Sequence, residues 1–156
     1  MKWQEVRTIE APNVVVWNLF EEEKAQRIMT KEVENRWLEK KKPGTVGSTY
    51  EQTYQEGKRQ ETYVVEIVEF EDTNVRKHKR IQFRLAGAFE MNLAFTLERV
   101  NEKQTNFIYA GSNQGINFVG RAMLKLGNKK AGDKVVTDFL DRVEQEAMLD
   151  YKVSSN

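Results

Sequence analysis

Residues 76–98 read RKHKRIQFRLAGAFEMNLAFTLE, and this stretch decides the fold class. From Ile81 onward the residues alternate. Ile81, Phe83 and Leu85 fall on one side, with Gln82 and Arg84 on the other. After Ala86-Gly87-Ala88, Met91, Leu93, Phe95 and Leu97 alternate with Asn92, Ala94 and Thr96. A period of two on both sides of a glycine-bearing turn predicts an antiparallel hairpin. A hairpin centred on Ala88 sets Leu85 opposite Met91, Phe83 opposite Leu93 and Ile81 opposite Phe95. All six are apolar, so turn and pattern agree on one inward face. Such a sheet is half apolar and requires a cover.

Working upstream, Ser48–Gln55 and Lys58–Phe70 read as two more strands. Glu56-Gly57 is the predicted two-residue loop between them. That loop sets Tyr50 opposite Tyr63 and Gln52 opposite Glu61. It places Tyr50, Gln52, Tyr54, Tyr63, Val65 and Ile67 on one face, an assignment that a one-residue slip would scramble. Pro43-Gly44-Thr45-Val46-Gly47 reads as a turn. Before it, Val33, Asn35 and Trp37 share one side of a strand over 33–40. Downstream, a last strand covers about Thr105–Asn113, with either Phe107/Tyr109 or Ile108/Ala110 facing inward.

The cover comes from the ends of the chain. Val136, Leu140, Val143 and Ala147 recur at spacings of four, three and four, with Phe139 beside them. Asp133, Lys134, Asp138, Asp141, Arg142 and Glu144 lie elsewhere on the wheel. This is an amphipathic helix with one apolar stripe. It starts at Phe118 at the earliest, with Gly127 and Gly132 as candidate sites of a bend, a break or a close backbone approach. At the other end, residues 2–10 read as a strand. Pro12 then opens a helix to Phe20, since proline suits a first helical turn, although Val14-Val15-Val16 is a mild counter-signal. A second short helix spans Glu22 to Met29.

This order, carried locally by Ala11-Pro12-x-x-x-Val16-Trp17, Pro43-Gly44-x-Val46-Gly47-Ser48-x-Tyr50 and Val65-Glu66-Ile67-Val68-Glu69-Phe70, resembles the START-related (SRPBCC) superfamily. That group includes birch-pollen-allergen-like, polyketide cyclase/dehydrase-like and small lipid-transfer proteins. The resemblance implies an α+β helix-grip fold. Its curved antiparallel sheet of six to seven strands wraps on a long C-terminal helix, with two short helices after the first strand. Residues 1–153 then form one domain, with 154–156 as a tail. The resemblance also implies a cavity between sheet and C-terminal helix, open to small apolar ligands. It further implies that the region after Asn113-Gln114-Gly115 and the loop near 86–89 frame the mouth, with Met123 and Phe89 as gate residues.

Composition narrows the chemistry. The chain has 156 residues, no cysteine, a single histidine, and 25 basic against 24 acidic residues. Disulfides, thiolate catalysis and cysteine or multi-histidine metal sites are excluded, so no metal or other cofactor is expected. A net charge of +1 gives no general reason to bind nucleic acid or an acidic surface. No stretch approaches the ~20 apolar residues of a membrane span, so a cytoplasmic location without integral membrane association is expected. His78 sits in Arg76-Lys77-His78-Lys79-Arg80 and reads as a solvated strand end. That run and Lys40-Lys41-Lys42 lack the interleaved aromatics of a nucleic-acid site and read as solvated turn charges.

The candidate cavity residues are Trp37, Tyr50, Gln52, Tyr54, Glu61, Tyr63, Phe83, Phe95, Tyr109 and Met123. Aromatic walls with a few hydroxyls suit a small-molecule site, and the same residues equally suit a sheet core. Glu61 is the nominated acid/base, because a desolvated carboxyl titrates upward; its ordinary reading is a solvated hairpin end. The leading expectation is binding of a small hydrophobic or amphipathic molecule. A cyclase/dehydratase-like enzyme using Glu61, Tyr50 and Tyr63, and a protein-interaction module with no small ligand, are the alternatives.

Overall fold

The computed structural model describes residues 1–21, 23–39, 46–127 and 129–154. Seven strands form one antiparallel sheet: β1 (Lys2–Ile9), β2 (Glu32–Glu39), β3 (Thr49–Glu56), β4 (Arg59–Asp72), β5 (Arg76–Leu85), β6 (Phe89–Asn101) and β7 (Gln104–Gly115). Their order is β1-β7-β6-β5-β4-β3-β2. Sequential hairpins make every pairing except one, in which β1 adds to β7. The first two strands therefore sit on opposite edges, six spacings or about 29 Å apart. The chain between them crosses the inner face as α1 (Asn13–Asn18) and α2 (Ala25–Ile28). Two helices follow the sheet, α3 (Phe118–Leu126) and α4 (Lys129–Ser154). The expected Lys40-Lys41-Lys42 cluster and Pro43-Gly44-Thr45 lie outside the described residues.

Both central hairpins keep the expected faces with a shifted register. The β3–β4 loop is Gly57-Lys58, which pairs Glu56 with Arg59, Gln52 with Tyr63 and Tyr54 with Glu61. Gly57 has φ +61°, as the first loop residue of a II′-type turn requires, so the glycine leads the loop and does not end it. The β5–β6 turn is centred on Gly87, one residue earlier than expected, and pairs Leu85 with Phe89, Phe83 with Met91 and Ile81 with Leu93. Each correction moves partners by two, so side chains stay on the same face.

Of the register slips among the described residues, two re-aim side chains near the site. The register slips between Ile67 and Glu69, so Val68 is a bulge. Beyond it Phe70 joins the inner set opposite Lys79, and Glu69 turns outward opposite Arg80. A second slip falls between Glu32 and Glu34, at Val33. A bulge inserts one residue and re-aims everything beyond it.

The inner face of β7 is Thr105, Phe107 and Tyr109, which resolves the open choice. These residues pack with Phe95, Leu97, Phe20 and the buried α4 stripe of Val136, Leu140, Val143 and Ala147. The stripe is the one the spacing predicts. The helical region breaks at Gly127, which ends α3, while Gly132 lies within α4. Helix α4 runs on through Ser154, so that residue is not part of a tail. Despite its three valines, α1 forms because Val16 and Trp17 are buried on its inner side, with Leu19 and Phe20 just beyond. Tertiary burial outweighs the β-branched preference.

Candidate functional site

The cavity lies under α2 and over the β2–β6 part of the sheet, with a volume of about 220 Å³. Its roof is Ala25 and Gln26 of α2 with Phe20 and Met29 at either side. Its floor is built from alternate residues of neighbouring strands: Asn35 and Trp37 of β2, Tyr50 and Gln52 of β3, Ile67 of β4, Lys79 and Ile81 of β5, and Phe95 of β6. No described residue of α4 lines it, so the expected position between sheet and C-terminal helix is corrected to one between sheet and α2.

Polar groups on this floor are organised. Gln52 is 2% exposed, and its Oε1 accepts a hydrogen bond from the Tyr63 hydroxyl at 2.8 Å. Tyr63 stacks on Phe83, with centroids 4.7 Å apart and planes 13° from parallel. Trp37 meets Tyr50 edge-on at 5.3 Å. The Lys79 ammonium lies 5.9 Å from the centre of the Trp17 ring, within cation–π range.

The residue that sequence reasoning missed is Glu32. The bulge at Val33 puts Glu32 opposite Tyr54, on the inner side of β2, and it lines the cavity. Burial pushes its carboxyl up to about 7, with the nearby Lys79 charge opposing the shift. Desolvation raises the tyrosine hydroxyls of Tyr50, Tyr63 and Tyr109 well above the ordinary range, and the Glu32 charge adds to each shift. One carboxyl thus sits within electrostatic reach of three tyrosines. At neutral pH it is divided between a proton donor and an anion. Strict alternation from Val33 points Glu32 outward, and nothing in the spacing marks the bulge.

The expected site residues divide into two groups. Trp37, Tyr50, Gln52 and Phe95 line the cavity. Tyr63 and Phe83 stand behind it, joined to the floor through Gln52. Tyr109 belongs to the packed aromatic cluster, stacked on Phe95 at 5.6 Å. Tyr54 turns its hydroxyl to Glu56 at 2.8 Å. Glu61 accepts from the Ala86 backbone N–H and meets Arg59 at 3.4 Å, which ties it to the neighbouring turn. Met123 is 55% exposed and is not among the lining residues, and Phe89, paired with Leu85 and Gly115, is not among them either.

His78 is buried, not solvated. It lies on the opposite face, with Nδ1 2.7 Å from the Thr96 hydroxyl and Nε2 2.8 Å from a Glu69 carboxylate oxygen. That hydrogen bond, with help from Arg80, holds the Glu69 carboxyl below the usual range. The cationic run is answered by the facing strand, where Lys77 pairs with Asp72 and Arg76 with Glu71. It is a cross-strand charge ladder. Among the described residues no group of three or more His, Asp or Glu is placed to hold a metal, and no helix is long and apolar enough to cross a membrane.

With strand order, α2 roof and α4 cover established, likeness to solved structures decides the fold. The aromatase/cyclase Zhui of a Streptomyces species superposes with a TM-score of 0.70 at 13% identity, over 95% of this chain and 93% of that one. This is the helix-grip fold. A START superfamily protein of Mycobacterium smegmatis matches at 0.69 and 8% identity, over 95% and 97%. Norcoclaurine synthase of Thalictrum flavum, in complex with dopamine and hydroxybenzaldehyde, matches at 0.60 and 8%, over 95% and 86%. No family model matches the sequence, and no curated protein matches it significantly. At such identities the helix-grip likeness carries the architecture, and function rests on the site.

Proposed function

We propose that the protein binds a small hydrophobic or amphipathic molecule in the cavity under α2, with Glu32 as its polar contact. The observation that carries this reading is a carboxyl of pKa about 7 set among aromatic rings and a tyrosine–glutamine pair. Keeping an ionisable group in such surroundings costs stability, and a ligand that hydrogen-bonds to it offsets that cost. The size supports a small ligand, since 220 Å³ lies just below the ~300–1,000 Å³ usual for ligand pockets. Apolar contact supplies affinity at ~25 cal/mol per Å² buried. Protonated Glu32 donates to a ligand oxygen, and ionised Glu32 accepts from a ligand N–H or O–H.

Native mass spectrometry of protein purified from its host, followed by extraction, tests the reading. The expected result is a bound small molecule that also raises the thermal midpoint when added back. Repeatedly empty protein with no thermal shift across lipids and aromatic metabolites overturns it.

A cyclase/dehydratase-like activity is the second reading, favoured by the same carboxyl, because a group titrating near 7 suits general acid–base catalysis. The aromatase/cyclase among the structural neighbours has the same architecture. Glu32→Gln separates the two: the amide still hydrogen-bonds a ligand but cannot transfer its proton, so a carrier binds and shows no turnover in either form, whereas an enzyme turns over as the parent and loses turnover as the variant.

A further inference from the structure

Helix α3 has its apolar side on the outside. Phe118, Val119 and Met123 are 79%, 58% and 55% exposed. At 3.6 residues per turn they fall within about 140° of arc. The opposite side is fixed to the body. Gly120 is buried so close to Ala88 that a Cβ there would stand 2.0 Å from the Ala88 carbonyl oxygen. Asn117 caps the helix by accepting from the Gly120 N–H at 2.8 Å, and its Nδ2 donates to the Gly87 carbonyl at 3.1 Å. The exposed apolar arc is therefore held in place and cannot roll inward.

Its surroundings are cationic. Arg121, Lys125, Lys129 and Lys130, with no acidic residue among them, give residues 118–130 a net charge of +4, although the whole chain carries only +1. On α3 itself Arg121 and Lys125 line the Phe118 edge of the apolar arc, and both are exposed with Lys129. Apolar side chains beside a band of lysine and arginine fit the interface of a bilayer, with rings in the acyl boundary and cations among the headgroups. A soluble acidic protein would match the charge but would not need three unpaired apolar side chains fixed outward.

We infer that α3 docks the protein on a bilayer rich in anionic lipid, inserting Phe118, Val119 and Met123 with Arg121, Lys125 and Lys129 on the headgroups. This does not depend on what fills the cavity.

Co-sedimentation with phosphatidylcholine vesicles, with and without phosphatidylglycerol, tests it. The expected result is binding to the anionic vesicles at least tenfold tighter than to the neutral ones. Lys125→Ala and Lys129→Ala are expected to weaken it about fivefold each. The triple variant Phe118→Ser, Val119→Ser, Met123→Ser is expected to lose binding at an unchanged thermal midpoint, since all three positions are exposed. Phe118→Trp should add blue-shifted emission, relative to the parent protein, only with anionic vesicles. Absence of binding, or equal binding by the triple variant, overturns the inference. So does concentration-dependent self-association that the triple variant abolishes without any vesicle binding, which would assign the face to a second copy.

Discussion

The inner face of the sheet is aromatic across its width, yet its two sides differ in kind. Over β1, β7 and β6, the rings of Phe20, Phe95, Phe107, Tyr109 and Phe139 meet one another at centroid separations of 4.7–6.3 Å. Helix α4 supplies Phe139 and closes that side. Over β2 to β5, Trp37, Tyr50, Gln52 and Lys79 line open space instead, beneath the four-residue α2. The strands on both sides carry the same alternating pattern. What separates core from cavity is the length and identity of the covering helix, which the strands do not encode.

Truncation breaks or confirms this contrast most strongly. Phe107 is fully buried in the packed side. Phe107→Ala is expected to cost about 3–5 kcal/mol, because it removes a large ring and leaves a void. Trp37, 36% exposed at the cavity, is expected to cost about 1 kcal/mol or less when changed to alanine, since part of its surface is already wet. Urea unfolding at fixed pH reads both. Equal losses would show that the cavity side is as tightly packed as the other.

The second difference is ionic. The Glu32 carboxyl is raised in the folded state from its ordinary 4.5 to about 7. Below pH 4.5 it is protonated in both states and costs nothing. Between 4.5 and 7 the unfolded chain releases its proton while the folded protein keeps it, so stability falls as pH rises, by up to about 3 kcal/mol in all. Glu32→Gln is expected to match the parent at pH 4 and to be more stable than it at pH 8. A parallel offset at every pH would show that Glu32 is solvated. Among the described residues the packed side holds no carboxyl raised in this way, so a variant such as Phe107→Ala should leave the dependence between pH 4 and 8 unchanged.

These contrasts also explain what could be read from the chain. Strand faces were legible because a period of two survives an error in turn placement: both hairpins slid by one turn residue, and every inward residue stayed inward. The α4 stripe was legible for the same reason at a period near 3.6. Bulges are where this reasoning fails. The one at Val68 brings Phe70 to the core side against the alternation and sends Glu69 to His78, while the one at Val33 turns Glu32 inward. Each follows from sheet pairing, to which no local spacing corresponds. His78 was misread for a related reason. Its sequence neighbours are cations, but its partners Glu69 and Thr96 come from adjacent strands.

The roof gives the smallest and most local test. Arg27 of α2 forks onto α4, with Nε 2.9 Å from Glu146 and its terminal nitrogens 2.9 and 3.1 Å from Asp150. Lys24 reaches the same Asp150 at 3.1 Å, and Arg142 of α4 donates to the Ile28 carbonyl at 3.1 Å. Hydrogen bonding to Arg27 holds the Asp150 carboxyl below its usual range, so the contribution of this cluster is present above that range and is lost as pH falls. The groups are partly exposed, and solvent screening limits the effect of Arg27→Ala to about 1 kcal/mol. Arg27→Lys should lose most of the same amount, because an ammonium cannot span two carboxylates as a guanidinium does. The loss should appear locally, as roughly fivefold faster amide exchange over residues 25–29, with β6 and β7 amides unchanged. High salt should reproduce it in the parent protein. If exchange instead rises equally across β6 and β7, roof and core open as one unit, and the cavity owes its shape to the whole fold and not to α2.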